Sequence, residues 1–211
     1  MSVFVLDHYN EDGAKVMRPV LNREDYLALR GSSKQTSILS KVRAGRKNLK
    51  SSLVQMNYSC IPGDDGLLKG CKTPSRSVGM DIDFVAPAEL SAEEQQTWLA
   101  EKMAGVPELV LKKREELGLL MFEHSATKGY HLVFRRHEGL SQEDNLLWAS
   151  QLLGIKFDDA AKDITRVFYT TTADENELLF LDDELFDVSV SQCLSVSVSQ
   201  FKFFALFSSR A

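Results

Sequence analysis

Cysteine is scarce in this chain, a long apolar run is missing, and there is no overall excess of positive charge. Each shortage closes off a class of protein. The three cysteines, Cys60, Cys71 and Cys193, are an odd set without CxxC spacing, which argues against a disulfide framework and lends zinc little support. Free thiols are the expectation. No apolar stretch approaches the roughly 20 residues that a bilayer-spanning helix requires, so no membrane role is expected. The opening MSVFVLDHYN lacks a basic segment followed by a long apolar stretch; it does not read as a secretory signal, and a cytoplasmic address is the default expectation. A net charge of −5 disfavours indiscriminate coating of DNA.

What is present is ordinary soluble composition: 211 residues, 44% hydrophobic and 26% charged, enough for one globular domain at the usual size of about 100 to 200 residues. The charge is unevenly placed. Between Lys34 and Val78 stand nine basic residues (Lys34, Lys41, Arg43, Arg46, Lys47, Lys50, Lys69, Lys72 and Arg76) against Asp64 and Asp65, so this segment carries +7 and the remainder −12. A cationic surface on an acidic protein can meet phosphates in one groove while the rest repels them. A solvated helix face is the plainer alternative.

The patterning alternates between strand and helix signals. VFVLDHY predicts an opening strand with EDG as its turn, and Asn22 is a plausible cap for REDYLALR. Ile38, Leu39 and Val42 among Arg43, Arg46, Lys47 and Lys50 predict a basic helix, followed by SLVQMNYSC as a strand. Ser91 and Glu94 form a capping box for the next helix, and Pro107 opens another that runs to Leu117 and stops at Gly118. LGLLMFEHS and YHLVFRR predict strands flanking a tight connection, Ser141 caps QEDNLLWASQLLG, and IKFD and TRVFYTT read as two more short strands. This order points to α/β or α+β. Residues 1–187 form the expected domain, with an αβ part over 1–76 and the chemistry-bearing part over 77–187. The tail 188–211, which repeats SVSQ and is poor in charge, is expected to be an added edge hairpin, a linker to a missing domain or sequence from a truncated reading frame, and no catalysis is assigned to it.

Three stretches carry candidate chemistry. In SVGMDIDF, the period of two puts Asp81 and Asp83 on one strand face, a geometry that can grip hard divalent cations through oxygen. Alone, such a pair equally suits an ion pair with a nearby Lys or Arg. In HSATKGYH, a small-residue loop with Lys128 and Gly129 leads into the strand that carries His131; backbone can approach a phosphate at glycine, and Lys128 adds a compact charge. His131 can donate to a phosphate, act as acid or base, or simply be satisfied on a sheet face. In IKFDDAAKDITR, Asp158 ends an apolar run as a third carboxylate, with Asp159 and Asp163 close by and Asp163 the second choice. Arg166 is then either a phosphate clamp or the partner that neutralises these aspartates.

The order of DxD, Gly-x-His and Asp followed by Arg resembles the archaeo-eukaryotic primase superfamily, including primase-polymerases, over roughly Val78 to Tyr169. AGRKNLK through SLVQMNYS looks like the lead-in of the primase-like, VirE-type N-terminal domains of helicase-linked mobile-element proteins. The resemblance implies a mixed or antiparallel sheet with an RRM-like catalytic half and helices packed on it. It implies Mg²⁺ or Mn²⁺ on Asp81, Asp83 and Asp158, and nucleoside triphosphate held by Ser125, Lys128, Gly129, His131 and Arg166. Single-stranded DNA template would lie along Lys41, Arg43, Arg46, Lys47, Lys50 and Arg76, and a replicative helicase or further C-terminal domain would be a partner. Two alternatives stand beside this reading: a non-catalytic module that binds single-stranded DNA or an origin for a helicase, and a metal-dependent nuclease or ligase using the same carboxylates.

Overall fold

The computed structural model describes residues 3–187; the tail discussed above lies outside them. The fold is α+β, built on two antiparallel four-stranded sheets. In the first sheet, β1 (Phe4–Tyr9) and β2 (Lys15–Pro19) make a hairpin. Its turn is closed by the Asn10 side chain, which accepts from the Asp12 and Ala14 amides at 3.1 and 2.8 Å. Then come α1 (Arg23–Arg30), capped by Asn22 as the sequence predicts, and α2 (Ser33–Arg43), which is capped by Ser32 and so starts earlier than the apolar spacing alone suggests. A 3-10 turn over Lys47–Ser52 leads into β3 (Gln55–Asn57).

The second sheet has the order β4-β6-β5-β8, with β4 (Ser77–Asp83), β5 (Leu119–His124), β6 (Gly129–Arg135) and β8 (Leu178–Leu181). Between β4 and β5 lie α3 (Ala92–Ala104), α4 (Val106–Lys112) and α5 (Arg114–Leu117). The helix expected from Pro107 to Leu117 is therefore divided, with Lys113 between its parts; Gly118 closes it in the left-handed region at φ 60°. After α6 (Gln142–Leu153) the chain passes through β7 (Phe168–Tyr169), which pairs with β3 and so completes the first sheet.

Alternation along the strands of the second sheet gives it two different faces. Met80, Ile82, Leu132, Phe134 and Phe122 form one core with α4, α5 and α6. On the opposite face Met121 and Val133 pack with Val5, Met56 and Phe168 of the first sheet. Gly79 permits this close approach, because a Cβ there would meet the Phe168 ring at 2.6 Å. Asp81, His131 and Glu123 occupy this second face, where Arg30 of α1 reaches Glu123. No helix among the described residues is long and apolar enough to cross a membrane.

The expected strand at IKFD is a correction. Ile155–Asp158 has no strand structure, and a hydrogen bond from the Asp158 amide to the Asp81 carbonyl, at 2.7 Å, ties it to β4. A ladder needs repeated bonds, and the chain turns into a 3-10 segment over Asp159–Lys162 directly afterwards.

Candidate functional site

The strand registers assemble the site. Asp81 of β4 lies directly opposite His131 of β6, and His131 lies directly opposite Glu123 of β5. The three side chains therefore form a row across the sheet. Asp83, two residues along β4, lies opposite Gly129 at the start of β6. Only glycine fits there, since φ is +125° and a Cβ would stand 1.8 Å from the Ile82 carbonyl oxygen. The connection Ser125 to Lys128 is held at its base by the Ser125 amide on the Gly129 carbonyl at 3.0 Å. It docks through Ala126 onto Leu39 and Val42 of α2 and onto Leu53. The apolar face of the basic helix thus grips the loop that carries Lys128.

Asp81 is 6% exposed, yet its partners are few. Arg166 approaches Oδ2 at 3.3 Å, His131 Nε2 stands 3.8 Å from Oδ1, and Oδ1 is buried without a hydrogen-bond partner. Burial and the charge of Asp81 push the Asp83 carboxyl above its ordinary value, with Asp158 adding to this and Lys50 and Lys128 opposing it. Lys50 also lies over the Tyr169 ring, 5.6 Å from its centroid. Arg166 therefore stands with Asp81 as the neutralising partner that the sequence left as one of its two roles. Ser125 has a buried hydroxyl with no partner.

Of the three aspartates in the last motif, only Asp158 is tied to the site by its backbone; its own Oδ1 accepts from the Ala160 amide at 2.8 Å. Asp159 pairs with Lys162 at 3.2 Å, and Asp163 accepts from the amide and hydroxyl of Thr165, each at 2.8 Å. Among the described residues, no group of three or more His, Cys, Asp or Glu side chains is drawn together into a ready-made metal cage.

The basic residues divide as well. Lys41, Arg46 and Lys47 are exposed. Arg43 is committed to Glu177, with one bond of 2.7 Å, and Arg76 stands 3.8 Å from Glu184, away from the carboxylate row.

Sequence reasoning missed Glu123, which is wholly buried. Its Oε1 meets His131 Nδ1 at 2.8 Å, and its Oε2 accepts from the Thr171 amide at 3.2 Å, the Thr171 hydroxyl at 3.0 Å and the Arg30 guanidinium. Arg30, also wholly buried, donates to the Tyr26 hydroxyl at 2.6 Å and the Thr172 carbonyl at 3.1 Å. Burial alone pushes Glu123 up, but the Arg30 charge and the His131 contact outweigh it and hold the carboxyl down at about 2. Burial likewise pushes His131 down, and is outweighed by Glu123 and Asp81, which leave the imidazole above its ordinary value. The missed signal was the same as for Asp81: a lone carboxylate inside an apolar strand, LLMFEH.

No family model, curated protein or solved structure matches this chain.

Proposed function

We propose that the protein is a primase-polymerase-like nucleotidyltransferase domain with a primase-type fold, joining nucleoside triphosphates on a single-stranded DNA template in the replication of a mobile element, with a helicase as partner. The observation that carries this reading is the under-satisfied carboxylate pair. Asp81 keeps a buried oxygen without a partner, Asp83 sits beside it against its charge, and Lys50, Lys128, His131 and Arg166 stand around them. Such an arrangement is costly unless a ligand completes it.

The donor set suits Mg²⁺ or Mn²⁺, which take oxygen ligands and would relieve the crowding of Asp81 and Asp83. Asp81 and Asp83 would hold the metal, and Asp158 would join them through the oxygen that Ala160 does not engage. When bound, the ions supply activation of a 3′-hydroxyl and neutralise charge on the triphosphate. The chain's own residues do the positioning: Lys128, the Ser125 hydroxyl and His131 face the phosphates beside the Gly129 backbone, and Arg166 clamps phosphate once Asp81 has another partner. Lys41, Arg46, Lys47 and Lys50 form the ridge along which single-stranded template lies.

The test mixes purified protein with Mn²⁺, single-stranded DNA and labelled nucleotides. Product that disappears in Asp81→Ala is expected. No product from the intact chain, together with nucleotide binding that Asp81→Ala leaves unchanged, ends the catalytic reading. The exposed ridge Lys41, Arg46 and Lys47 favours one second reading, a non-catalytic DNA-binding module. That module would bind DNA with steep salt dependence and indifference to metal.

A further inference from the structure

We propose that Glu123 is a positioning residue for His131: it accepts from Nδ1–H and so leaves Nε2 as the nitrogen whose N–H donates to a phosphate-bearing ligand. This rests on the reading of the site as one for nucleotide phosphates. The geometry leaves the imidazole little choice. An ionised carboxylate only accepts, so the nitrogen 2.8 Å from Glu123 Oε1 must be the one that donates. Nε2, on the other edge of the ring, lies 3.8 Å from Asp81 Oδ1, which is too long for a hydrogen bond. That nitrogen is uncommitted, and it faces the carboxylates.

The carboxylate that sets this orientation is itself immobilised. Three donors, the Thr171 amide, the Thr171 hydroxyl and Arg30 Nη2, converge on Oε2, which prevents the group from rotating. Arg30 is fixed in turn by the Tyr26 hydroxyl, which meets the Tyr58 hydroxyl at 3.0 Å. The imidazole is also flanked by the Phe168 ring, with centroids 5.2 Å apart and planes at 76°. A chain of buried groups thus runs from the core of the first sheet to one nitrogen at the candidate site. In metal and phosphate sites, such outer partners orient the residue that touches the ligand.

Glu123→Gln supplies the test, because it preserves shape and reverses the hydrogen bond. The converging donors claim the Gln carbonyl at the Oε2 position, which turns its amide toward His131 Nδ1. A nitrogen that faces an N–H must accept, so Nδ1 gives up its proton and Nε2 alone keeps one. The readout is nitrogen NMR of the full chain with labelled histidine; the protein has 4 histidines, and His131→Gln assigns the signal. In the wild type, Nδ1 is expected to carry a proton, and Nε2 to be the resonance that moves when Mg²⁺ and a deoxynucleoside triphosphate are added. In Glu123→Gln, Nδ1 is expected to be unprotonated. Nucleotide affinity is expected to fall roughly 10- to 100-fold, the usual cost of losing such an outer carboxylate, because the ring is then no longer held in place by one.

A wild-type ring with Nδ1 unprotonated overturns the proposal without any variant, and so does a folded Glu123→Gln protein that keeps its proton on Nδ1. If Nδ1 loses its proton in Glu123→Gln as expected but nucleotide moves the Nε2 signal in neither protein, the phosphate role falls, and the nucleotide reading with it. Glu123 then remains the orienting group of a site for another ligand.

Discussion

One row of side chains has two unlike ends. At the Glu123 end, each carboxylate oxygen has a partner, and the matching charge, Arg30, is wholly buried beside it. At the Asp81 end, one oxygen has a 3.3 Å contact to an arginine whose side chain is 38% exposed, and the other has no hydrogen bond. Both are carboxylates in apolar strands, Asp81 two residues and Glu123 one residue from the strand end, and both are buried. The difference teaches that burial of a charge does not by itself mark a site. A buried carboxylate with its bonds made is accounted for by the fold itself, whereas one with a bond unmade is not.

Removing one partner from each end should break this symmetry most visibly. Glu123→Leu strands Arg30 in the core without a counter-charge, and a loss of about 3 to 5 kcal/mol is expected in urea unfolding. Asp81→Asn releases an arginine that can turn to water and takes one charge away from Asp83. Its cost should stay within about 1 kcal/mol, while the added stability from Mn²⁺ with nucleotide vanishes. A large loss from Asp81→Asn, or a small one from Glu123→Leu, would show that the two ends have been assigned the wrong way round.

Much of the Asp81 end was legible in the sequence, because local alternation puts Asp81 and Asp83 on one strand face and the loop SATKG announces the turn before His131. The Glu123 end was not. Glu123 broke the apolar run LLMFEH in the same manner as Asp81, but nothing nearby in the chain explained it: Arg30 lies 93 residues away and Thr171 48. Arg30 itself reads as the last turn of an exposed, polar helix, and only the folded packing of α1 against the sheet buries it. The helix caps at Asn22, Ser91 and Ser141 were readable for the same reason as the DxD motif, since each acts within a few residues. The strand expected at IKFD failed because alternation cannot report whether a neighbour offers a ladder or only a single bond.

Acid should separate the ends in opposite senses. Glu123 is held at about 2 in the fold against an ordinary value of 4.5, so its contribution to stability is complete above that ordinary value and is lost as pH falls from there toward 2. Asp83 is raised above its ordinary value by burial and by Asp81. Its protonation is favoured by folding, so its destabilising effect is relieved as pH falls through the raised value. Thermal melts from neutral to acid pH should therefore lose stability chiefly below about 4.5. Asp83→Asn should raise the melting temperature near neutrality and leave the acid loss in place. An acid loss that disappears with Asp83→Asn would place the sensitive carboxylate at the wrong end of the row.

The smallest effect extends the same distinction to the cations. Arg43 already has both guanidinium contacts on Glu177, whereas Lys47 is exposed at the start of its 3-10 turn. A phosphate that binds Lys47 displaces only water and counterions, but one that binds Arg43 must also compete with a carboxylate. Lys47→Ala should therefore weaken single-stranded DNA binding evenly across sequences and lower the slope of log affinity against log salt by nearly one unit. Arg43→Ala should change that slope less, and Glu177→Gln should raise affinity by freeing the arginine. Equal slopes for Lys47→Ala and Arg43→Ala, measured by fluorescence anisotropy across a salt series, would mean that commitment to a carboxylate does not decide which cations of this ridge meet DNA.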